Sequence, residues 1–521
     1  MSTTPHAREE PTVARAAVRM GAVTAVSRGI GFVRVLVIAG VLGTTYLGNT
    51  FQASNTVSNV LFELVAAGAL SAALVPGFVA RLADGDALER TANALLGIAI
   101  VVLGAIAVVA MLNARAIATL LMSRAPSSAI GDQQVNLATF LLRWFLPQVV
   151  LYAVGAIAIS VLHAKRQFVV GAVAPIASSM VLISTMVLFR VVAGSAPGLE
   201  LSLLAKIILG IGGTLAVVAF VGVPLVAVWT SGTRLYPSLR WRGVGPQLRG
   251  SLWAVVLHAG LGALLAAALI GGNAVEGGVV AYQVAWTFFL APYAILAQPI
   301  HTAILPELTL EAGSPDAFAA SVRWSLAGMA RLLIPVSVLL FAFARPIMDI
   351  LAFGAASGGT TLLAAALRWL AVGLFPYGAL LLATRAYFAL GDTRTPAVLT
   401  LFGALIGACI MLLGTRLTHG VGVVVILGIG QTAGALAASI GLLAVLRSRI
   451  GWPVTPRILI PVGAICLPVG ALLTWVAATN QFSGRVHNLI VYGALSIALV
   501  AAYGALLRWW RPLRLPERVA R

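Results

Sequence analysis

Long, nearly uninterrupted runs of apolar residues dominate this chain, and they leave few folds open. Fourteen runs reach the length, about 18 residues or more, at which an apolar segment becomes a candidate membrane-spanning helix. Only 9% of the residues are charged, against about 25% in a soluble domain, so this composition excludes a soluble enzyme, a disordered tail or a disulfide scaffold. The fourteen predicted spans lie at approximately 17–42, 50–80, 92–114, 136–163, 168–193, 203–229, 249–271, 277–305, 321–347, 361–388, 396–417, 420–446, 456–478 and 486–507.

The basic residues orient these spans. With the N-terminus inside, 22 of the 34 Lys and Arg residues fall in inner segments and six in outer segments. Cytoplasmic loops are enriched in positive charge, so the sequence predicts a multi-pass membrane protein with both termini in the cytoplasm. The basic residues form no stripe interleaved with aromatic side chains, which argues against nucleic acid as a partner.

Four short matches recur in the same order in the two halves of the chain, at a slowly shrinking offset of 230 to 218 residues. Six spans separate the copies, and because six is even, both halves face the same way. This predicts two parallel-repeat six-helix lobes with a substrate path between them, as in alternating-access carriers. The matches are 70–76 with 300–306, Leu142-Arg-Trp144 with Leu367-Arg-Trp369, Pro175 with Pro396, and 208–214 with 426–432.

The predicted fold is therefore an all-α polytopic membrane protein of about 14 transmembrane helices. Two six-helix lobes are followed by two C-terminal helices outside the repeat. The predicted division is a cytoplasmic tail at 1–16, an N-lobe at 17–230, a basic cytoplasmic loop at 231–248, a C-lobe at 249–447, spans 13 and 14 at 448–507, and a basic cytoplasmic tail at 508–521.

A small set of polar residues lies at membrane depth. Glu63 is the one acidic residue placed well inside a predicted span, and Asn55 and Asn59 share its helical face at intervals of four. Span 1 contains Arg28 and Arg34. Charges inside a membrane are expensive and usually functional. Two interpretations stay open: a polar cavity for an anionic headgroup, or a buried Arg–Glu pair that holds the two helices together.

Other chemistry is sparse in the sequence. His258 and His301 have side chains that titrate near neutral pH, and either histidine is a candidate for ion coupling or for a helix-packing hydrogen bond. No metal-ligand cluster, nucleophile elbow or phosphate loop is present, so we expect neither catalytic residues, nor a metal, nor a cofactor.

Several segments resemble the MviN/MurJ family of lipid II flippases, which belongs to the multidrug/oligosaccharidyl-lipid/polysaccharide exporter superfamily. The most specific segment is Arg385-Ala-Tyr-Phe-Ala-Leu-Gly-Asp-Thr-Arg-Thr-Pro396. The resemblance is closest to the branch found in high-GC Gram-positive bacteria. The other segments that carry it are 27–34, 55–64 running on to Gly68 and Pro76, 162–168 with 174–175, and 291–306.

The resemblance implies roles for individual residues. Arg28 and Arg34 match the family's span-1 arginines, and the acidic position after span 1 falls on Asn49. The family's other cavity arginines fall on Phe62 and near Thr287, so this chain departs from the family pattern there. The predicted substrate-binding set is Arg28, Arg34, Asn49, Asn55, Asn59 and Glu63, with Glu63, His258 and His301 as coupling candidates.

The function that the resemblance implies is transport across the bacterial plasma membrane. No covalent bond is made or broken in such transport, so the chain is not expected to be an enzyme. The substrate would be lipid II or a similar polyprenyl-diphosphate glycan, moved from the inner to the outer leaflet by alternating access. Its tail would lie in a hydrophobic groove formed by spans 13 and 14. Membrane potential or an ion gradient is the candidate energy source, and cell-wall synthesis proteins are candidate partners. Two alternatives stay open: a flippase for another polyprenyl-linked glycan, and a degenerate, non-transporting scaffold for cell-wall synthesis.

Overall fold

In the computed structural model, the described residues are 10–63, 85–165, 167, 169–239, 252–452, 456–479 and 484–509, and all their regular secondary structure is helical. Helices satisfy their own backbone hydrogen bonds, which apolar surroundings require. The helices of the first half are α1 Glu10–Leu42, α2 Tyr46–Phe62, α3 Gly85–Leu112, α4 Ala114–Leu121, α5 Ser128–Phe145, α6 Gln148–Ala164, α7 Val169–Ala193 and α8 Leu203–Thr230.

The second half continues in the same style, with one π-helical turn at Tyr293–Ala297 and short 3-10 turns at Glu311–Gly313 and Gly354–Gly359. Its helices are α9 Leu252–Gly272, α10 Gly278–Pro292, α11 Gln298–Leu310, α12 Pro315–Ala342, α13 Ala344–Leu351, α14 Thr360–Ala371, α15 Leu374–Ala389, α16 Arg394–Leu417, α17 Val421–Ile450, α18 Pro456–Thr479 and α19 Arg485–Trp509.

Twelve described helices or helix pairs are long and apolar enough to cross a membrane, and a thirteenth is the pair α14 and α15, bent by 46°. These thirteen coincide with thirteen of the predicted spans. The remaining one, 50–80, falls partly outside the described residues. The all-α polytopic class is therefore confirmed.

The chain divides into two compact units. Unit 1 comprises residues 1–41, 53–120 and 132–255, and unit 2 comprises 42–52, 121–131 and 256–521. Two short segments of the N-terminal half thus pack within unit 2. The predicted division into lobes, loops and tails stays a prediction.

In each unit a helix is broken just after a Leu-Arg-Trp motif, and these two breaks fall at matching places in the repeat. In unit 1 the break separates α5 from α6 just after Leu142-Arg-Trp144, and in unit 2 it separates α14 from α15 just after Leu367-Arg-Trp369. At a break, carbonyl groups lose their helical partners and need other donors. The shared position shows that the sequence repeat is also a structural one.

A threonine from the second repeated motif supplies such a donor in both units. The Thr214 hydroxyl donates to the Trp144 carbonyl at 3.0 Å, and the Thr432 hydroxyl donates to the Trp369 carbonyl at 3.2 Å. In unit 1, Gln148 also donates its amide to the Thr214 hydroxyl at 3.0 Å. The repeated Gly-Ile-Gly-x-Thr motif therefore serves to close a broken helix.

Glycine in that motif allows the close approach. A Cβ atom added to Gly210 would come within 2.6 Å of the Trp144 ring, and one added to Gly428 would come within 2.6 Å of the Trp369 Cβ. Both distances are shorter than van der Waals contact. Even alanine at either position would push the motif helix away from the break.

The segment most specific to the family forms a capped turn between α15 and α16. The Asp392 carboxylate accepts from the Thr395 backbone N–H at 3.0 Å and from its hydroxyl at 2.8 Å, and it pairs with Arg449 at 3.3 Å. Burial acts to raise the pKa of Asp392, but these hydrogen bonds and the charge of Arg449 outweigh it, so the pKa lies below its ordinary value. The turn fixes where α16 begins.

Candidate substrate site

The span-1 arginines lie on α1 in unit 1 and differ in burial. Arg28 is exposed, whereas Arg34 is partly buried. The Arg34 Nε is fully buried and has no hydrogen-bond partner among the described residues. Tyr152, on α6, lies close enough to interact with Arg34 electrostatically. A guanidinium with an unused buried donor is suited to an anionic oxygen ligand.

The polar face predicted for span 2 is present on α2. Asn55 and Asn59 are both partly buried, and Gln52, one turn earlier, is buried. Glu63 follows directly after α2 and its side chain is exposed. Asn55, Asn59 and Glu63 belong to unit 1, together with both arginines. The structure therefore brings five of the predicted ligands into one unit.

Another polar residue of α2 is used for structure. Phe145 is the last residue before the break in unit 1. Its carbonyl accepts a hydrogen bond from the Ser58 hydroxyl at 2.6 Å. Ser58 is fully buried. In unit 2 the Ser337 hydroxyl donates in the same way to the Ala371 carbonyl. Serine side chains thus complete the closing of both breaks, a role that sequence reasoning did not identify.

The two positions where this chain lacks family arginines have clear local roles. The Phe62 ring lies 5.3 Å from the Tyr152 ring, which in turn lies 6.1 Å from the Phe220 ring. The Thr287 hydroxyl donates to the Gln283 carbonyl one turn earlier at 3.0 Å. Phe62 therefore belongs to an aromatic cluster, and the Thr287 hydroxyl is hydrogen-bonded within its own helix.

Asn49 lies in unit 2 and its amide is fully engaged. The side-chain oxygen accepts from the Val279 N–H at 3.0 Å, and the amide nitrogen donates to the Val275 carbonyl at 2.9 Å and to Asn273 Oδ1 at 3.4 Å. The side chain is completely buried. In this conformation Asn49 caps the start of α10, and its predicted contact with substrate stays a prediction.

The same segment packs tightly around glycine. Gly277 has a φ of +75°, and a Cβ added there would meet Thr44 at 2.5 Å. Positive φ and missing space both require glycine at this position. The connection between α1 and α2 and the first turn of α2 are therefore held against the start of α10 by shape as well as by the Asn49 amide.

The two candidate coupling histidines lie in unit 2. His301 is completely buried, and its Nδ1 lies 3.0 Å from the Tyr293 hydroxyl while its Nε2 lies 3.0 Å from the Met329 sulfur. Both ring nitrogens thus have close neighbours in the helix packing. His258, on α9, is partly buried. A coupling role for either histidine stays a prediction.

A cavity of about 550 Å³ lies in unit 2 between α12, α18 and α19. Val338, Val469 and Leu499 are among its apolar lining residues. The last two helices are those to which the family resemblance assigns a hydrophobic groove. No group of three or more metal-ligating side chains occurs among the residues that the structure describes.

Comparison with known proteins identifies the family. The model of the family described as "Lipid II flippase MurJ" matches residues 38–500. A protein named "Probable lipid II flippase MurJ" from Rhizobium tropici is 25% identical over 408 residues, covering 76% of this chain and 74% of that protein. The "Lipid II flippase MurJ" of Burkholderia cenocepacia is 24% identical over 504 residues, covering 94% of this chain and 95% of that protein.

Solved structures show the same fold. A structure described as "Lipid II flippase MurJ, inward closed conformation" has a TM-score of 0.74 at 18% identity and covers 94% of this chain and 99% of its own. An inward-facing multidrug resistance transporter of the MATE family, in the MOP superfamily, has a TM-score of 0.65 at 15% identity, covering 84% of this chain and 98% of its own. With a family model that matches most of its length, this chain belongs to the lipid II flippase MurJ family.

Proposed function

We propose that this chain moves lipid II across the membrane, with the diphosphate held by the α1 arginines and the polyprenyl tail kept in an apolar environment. Membership of the lipid II flippase family supports the substrate, and the likeness to MATE transporters supports alternating access. A flippase makes and breaks no covalent bond. Binding must therefore be strong enough to strip water from the diphosphate and weak enough to release it.

The buried, unpartnered Nε of Arg34 is the observation that carries the proposed site. Leaving a charged donor unsatisfied in a buried place is costly, and a diphosphate oxygen would satisfy it. Arg28, on the same helix but exposed, provides a second guanidinium. Arginine suits this task because its planar fork contacts phosphate oxygens in a bidentate manner, which lysine cannot do.

Substitution of the two arginines tests the site. We expect Arg28→Ala and Arg34→Ala each to abolish flipping of labelled lipid II in proteoliposomes while membrane abundance stays nearly normal. Lysine variants should recover little activity if bidentate contacts matter. Arg190→Ala, at the end of α7, is the matched control and should flip normally. Normal flipping by both alanine variants would contradict the assignment.

A rescue assay tests the substrate. This chain should restore growth when the lipid II flippase of a bacterial host is depleted. If the chain inserts normally and recruits cell-wall synthesis proteins without restoring growth, it is a scaffold. If it restores surface exposure of a different polyprenyl-linked glycan, its substrate differs from lipid II.

We also propose that transport is coupled to membrane potential or to an ion gradient, with Glu63 as the coupling residue. Its carboxylate belongs to the same unit as both α1 arginines. An acid in such a position is able to neutralise arginine when substrate is absent and to release it when substrate arrives. Dissipating the membrane potential and each ion gradient in turn, in proteoliposomes, identifies the energy source.

A further inference from the structure

Arg331 is a charged residue in the middle of a membrane-spanning helix, outside the proposed diphosphate site. It lies on α12, which runs from Pro315 to Ala342. At 1.5 Å per residue, Arg331 is about 24 Å from the first end of this helix and about 16 Å from the other. Its side chain is only 8% exposed, and its Nε is buried without a hydrogen-bond partner among the described residues.

The Arg331 side chain lines the cavity between α12, α18 and α19. Tyr503, on α19, lines the same cavity, and its hydroxyl is also buried without a described hydrogen-bond partner. The phenol lies close enough to interact with Arg331 electrostatically. No acidic residue is among the described residues that line the cavity. Two strong donors therefore face a space whose other walls are apolar.

An arginine in such a place, with no ion-pair partner among the described residues, is suited to an anion from outside the protein. Burying an uncompensated charge is costly, and an ion pair with hydrogen bonds recovers much of that cost. The apolar walls are suited to hydrocarbon. The ligand that satisfies both features is an amphiphile with an anionic group next to a hydrocarbon chain.

The depth of Arg331 distinguishes between kinds of anionic lipid. Phospholipid phosphates stay in the headgroup layer, outside a hydrocarbon core about 30 Å thick. A transported lipid, by contrast, must bring its phosphates through the middle of the membrane. We propose that Arg331 and Tyr503 form a second diphosphate contact for the transported polyprenyl lipid, with the prenyl chain lying along α18 and α19.

This inference rests on the proposed function for the identity of the lipid. In the proposed site, the Arg331 guanidinium and the Tyr503 hydroxyl both donate to phosphate oxygens. The site would hold the lipid end of the diphosphate, since the prenyl chain begins there and the surrounding walls exclude sugar. It gives unit 2 a direct part in recognising the substrate, beyond a surface for its tail.

Binding measurements on the purified full-length chain test the site. Native mass spectrometry would compare a polyprenyl diphosphate, the matching neutral polyprenol and phosphatidylglycerol. We expect Arg331→Met to weaken polyprenyl diphosphate binding roughly ten- to a hundredfold, as for loss of a charge-assisted hydrogen bond, and to leave polyprenol binding unchanged. Tyr503→Phe should give a smaller loss. Arg323→Met, on the same helix but outside the cavity lining, should bind like the wild type.

Thermal stability separates this ligand role from a structural one. Methionine fills similar space without charge, so Arg331→Met should unfold at the same temperature or higher. Arg331→Lys keeps the charge and should bind with intermediate affinity, which keeps the test valid if the methionine variant fails to fold.

Two binding results would overturn the site: wild-type affinity in both the Arg331→Lys and Tyr503→Phe variants, or equal competition by phosphatidylglycerol. Failure of the wild-type chain to flip lipid II would instead overturn the proposed function. The binding result for polyprenyl diphosphate is independent of that outcome, so the two failures are distinguishable.

Discussion

At the scale of single residues, Asn49 shows why an amide replaces the acid that the family resemblance implies. Its oxygen accepts from the start of α10, as a carboxylate also would. Its nitrogen donates to the Val275 carbonyl and to Asn273, which a carboxylate does not do. The side chain is therefore fitted to a neighbourhood that contains both donors and acceptors.

Replacing Asn49 with aspartate should lower the thermal stability of the purified protein. The variant keeps the acceptor but places a carboxylate against two oxygen atoms, and we expect a loss of about 1–3 kcal/mol. Asn113→Asp is the control, because Asn113 is exposed and its side chain donates to the Val109 carbonyl of the preceding helix, α3, at 2.8 Å. An Asn49→Asp variant as stable as the wild type would contradict this account of the contact.

For Glu63, a coupling role and a packing role predict different effects of the Glu63→Gln substitution. Glu63→Gln keeps volume and hydrogen bonding but removes the charge. If the carboxylate takes part in coupling, the flipping rate should fall several-fold while abundance stays near normal, and the response to the driving gradient should disappear. If Glu63 holds an arginine in place, abundance should fall instead, and Arg28→Gln/Glu63→Gln should restore it. Glu89→Gln, near the start of α3, is the matched control.

At the scale of helices, the paired breaks show what the repeated motif does. The sequence comparison found the motif by its spacing, and the structure shows that each copy closes a break. A break inside an apolar span leaves carbonyl groups that lipid does not satisfy. Threonine and serine from neighbouring helices supply the missing donors, so each break is stable without water.

Valine tests these contacts because it matches threonine in shape but lacks the hydroxyl. We expect Thr214→Val and Thr432→Val each to destabilise the protein by about 0.5–1.5 kcal/mol. The effect should be larger for Thr214, which also accepts from Gln148. Thr119→Val, exposed on α4, removes a bond only within its own helix and should change little. Equal melting temperatures for all three variants would show that the breaks do not depend on these hydroxyls.

The spans were predictable from sequence because each one is set by a local property, the length of an apolar run. The break after Trp369 was not predictable in this way, because residues 361–388 read as a single span. Arg331 falls within the predicted span 321–347, but its surroundings depend on α18 and α19, which are more than a hundred residues away in the sequence. Asn49 was found only through the family resemblance, and its hydrogen-bond partners depend on the packing of α10.

At the scale of the whole molecule, the distribution of basic residues predicts the orientation. Because 22 basic residues lie in segments on one side and six on the other, the inner side should be the basic one. The test uses a variant without Cys409 and Cys466, into which one new cysteine is placed. A membrane-impermeant maleimide added to intact cells should label Ser195→Cys, in the loop before α8, but not Ser448→Cys near the end of α17. The reverse labelling pattern would show that the orientation in the membrane is opposite to the predicted one.

The matching closures also say something about ancestry. The Thr214–Trp144 contact in one half corresponds to the Thr432–Trp369 contact in the other, although the two halves have otherwise diverged. Coincidence would have to place a break, a tryptophan and a threonine in the same relation twice. A common origin explains this more simply: the broken helix and its closing threonine were already present in a half-length ancestor, before its gene was duplicated and fused. Features found in one half alone, such as the arginines of α1 and the Arg331 cavity, were then acquired or retained separately, when the two halves no longer had to do the same work.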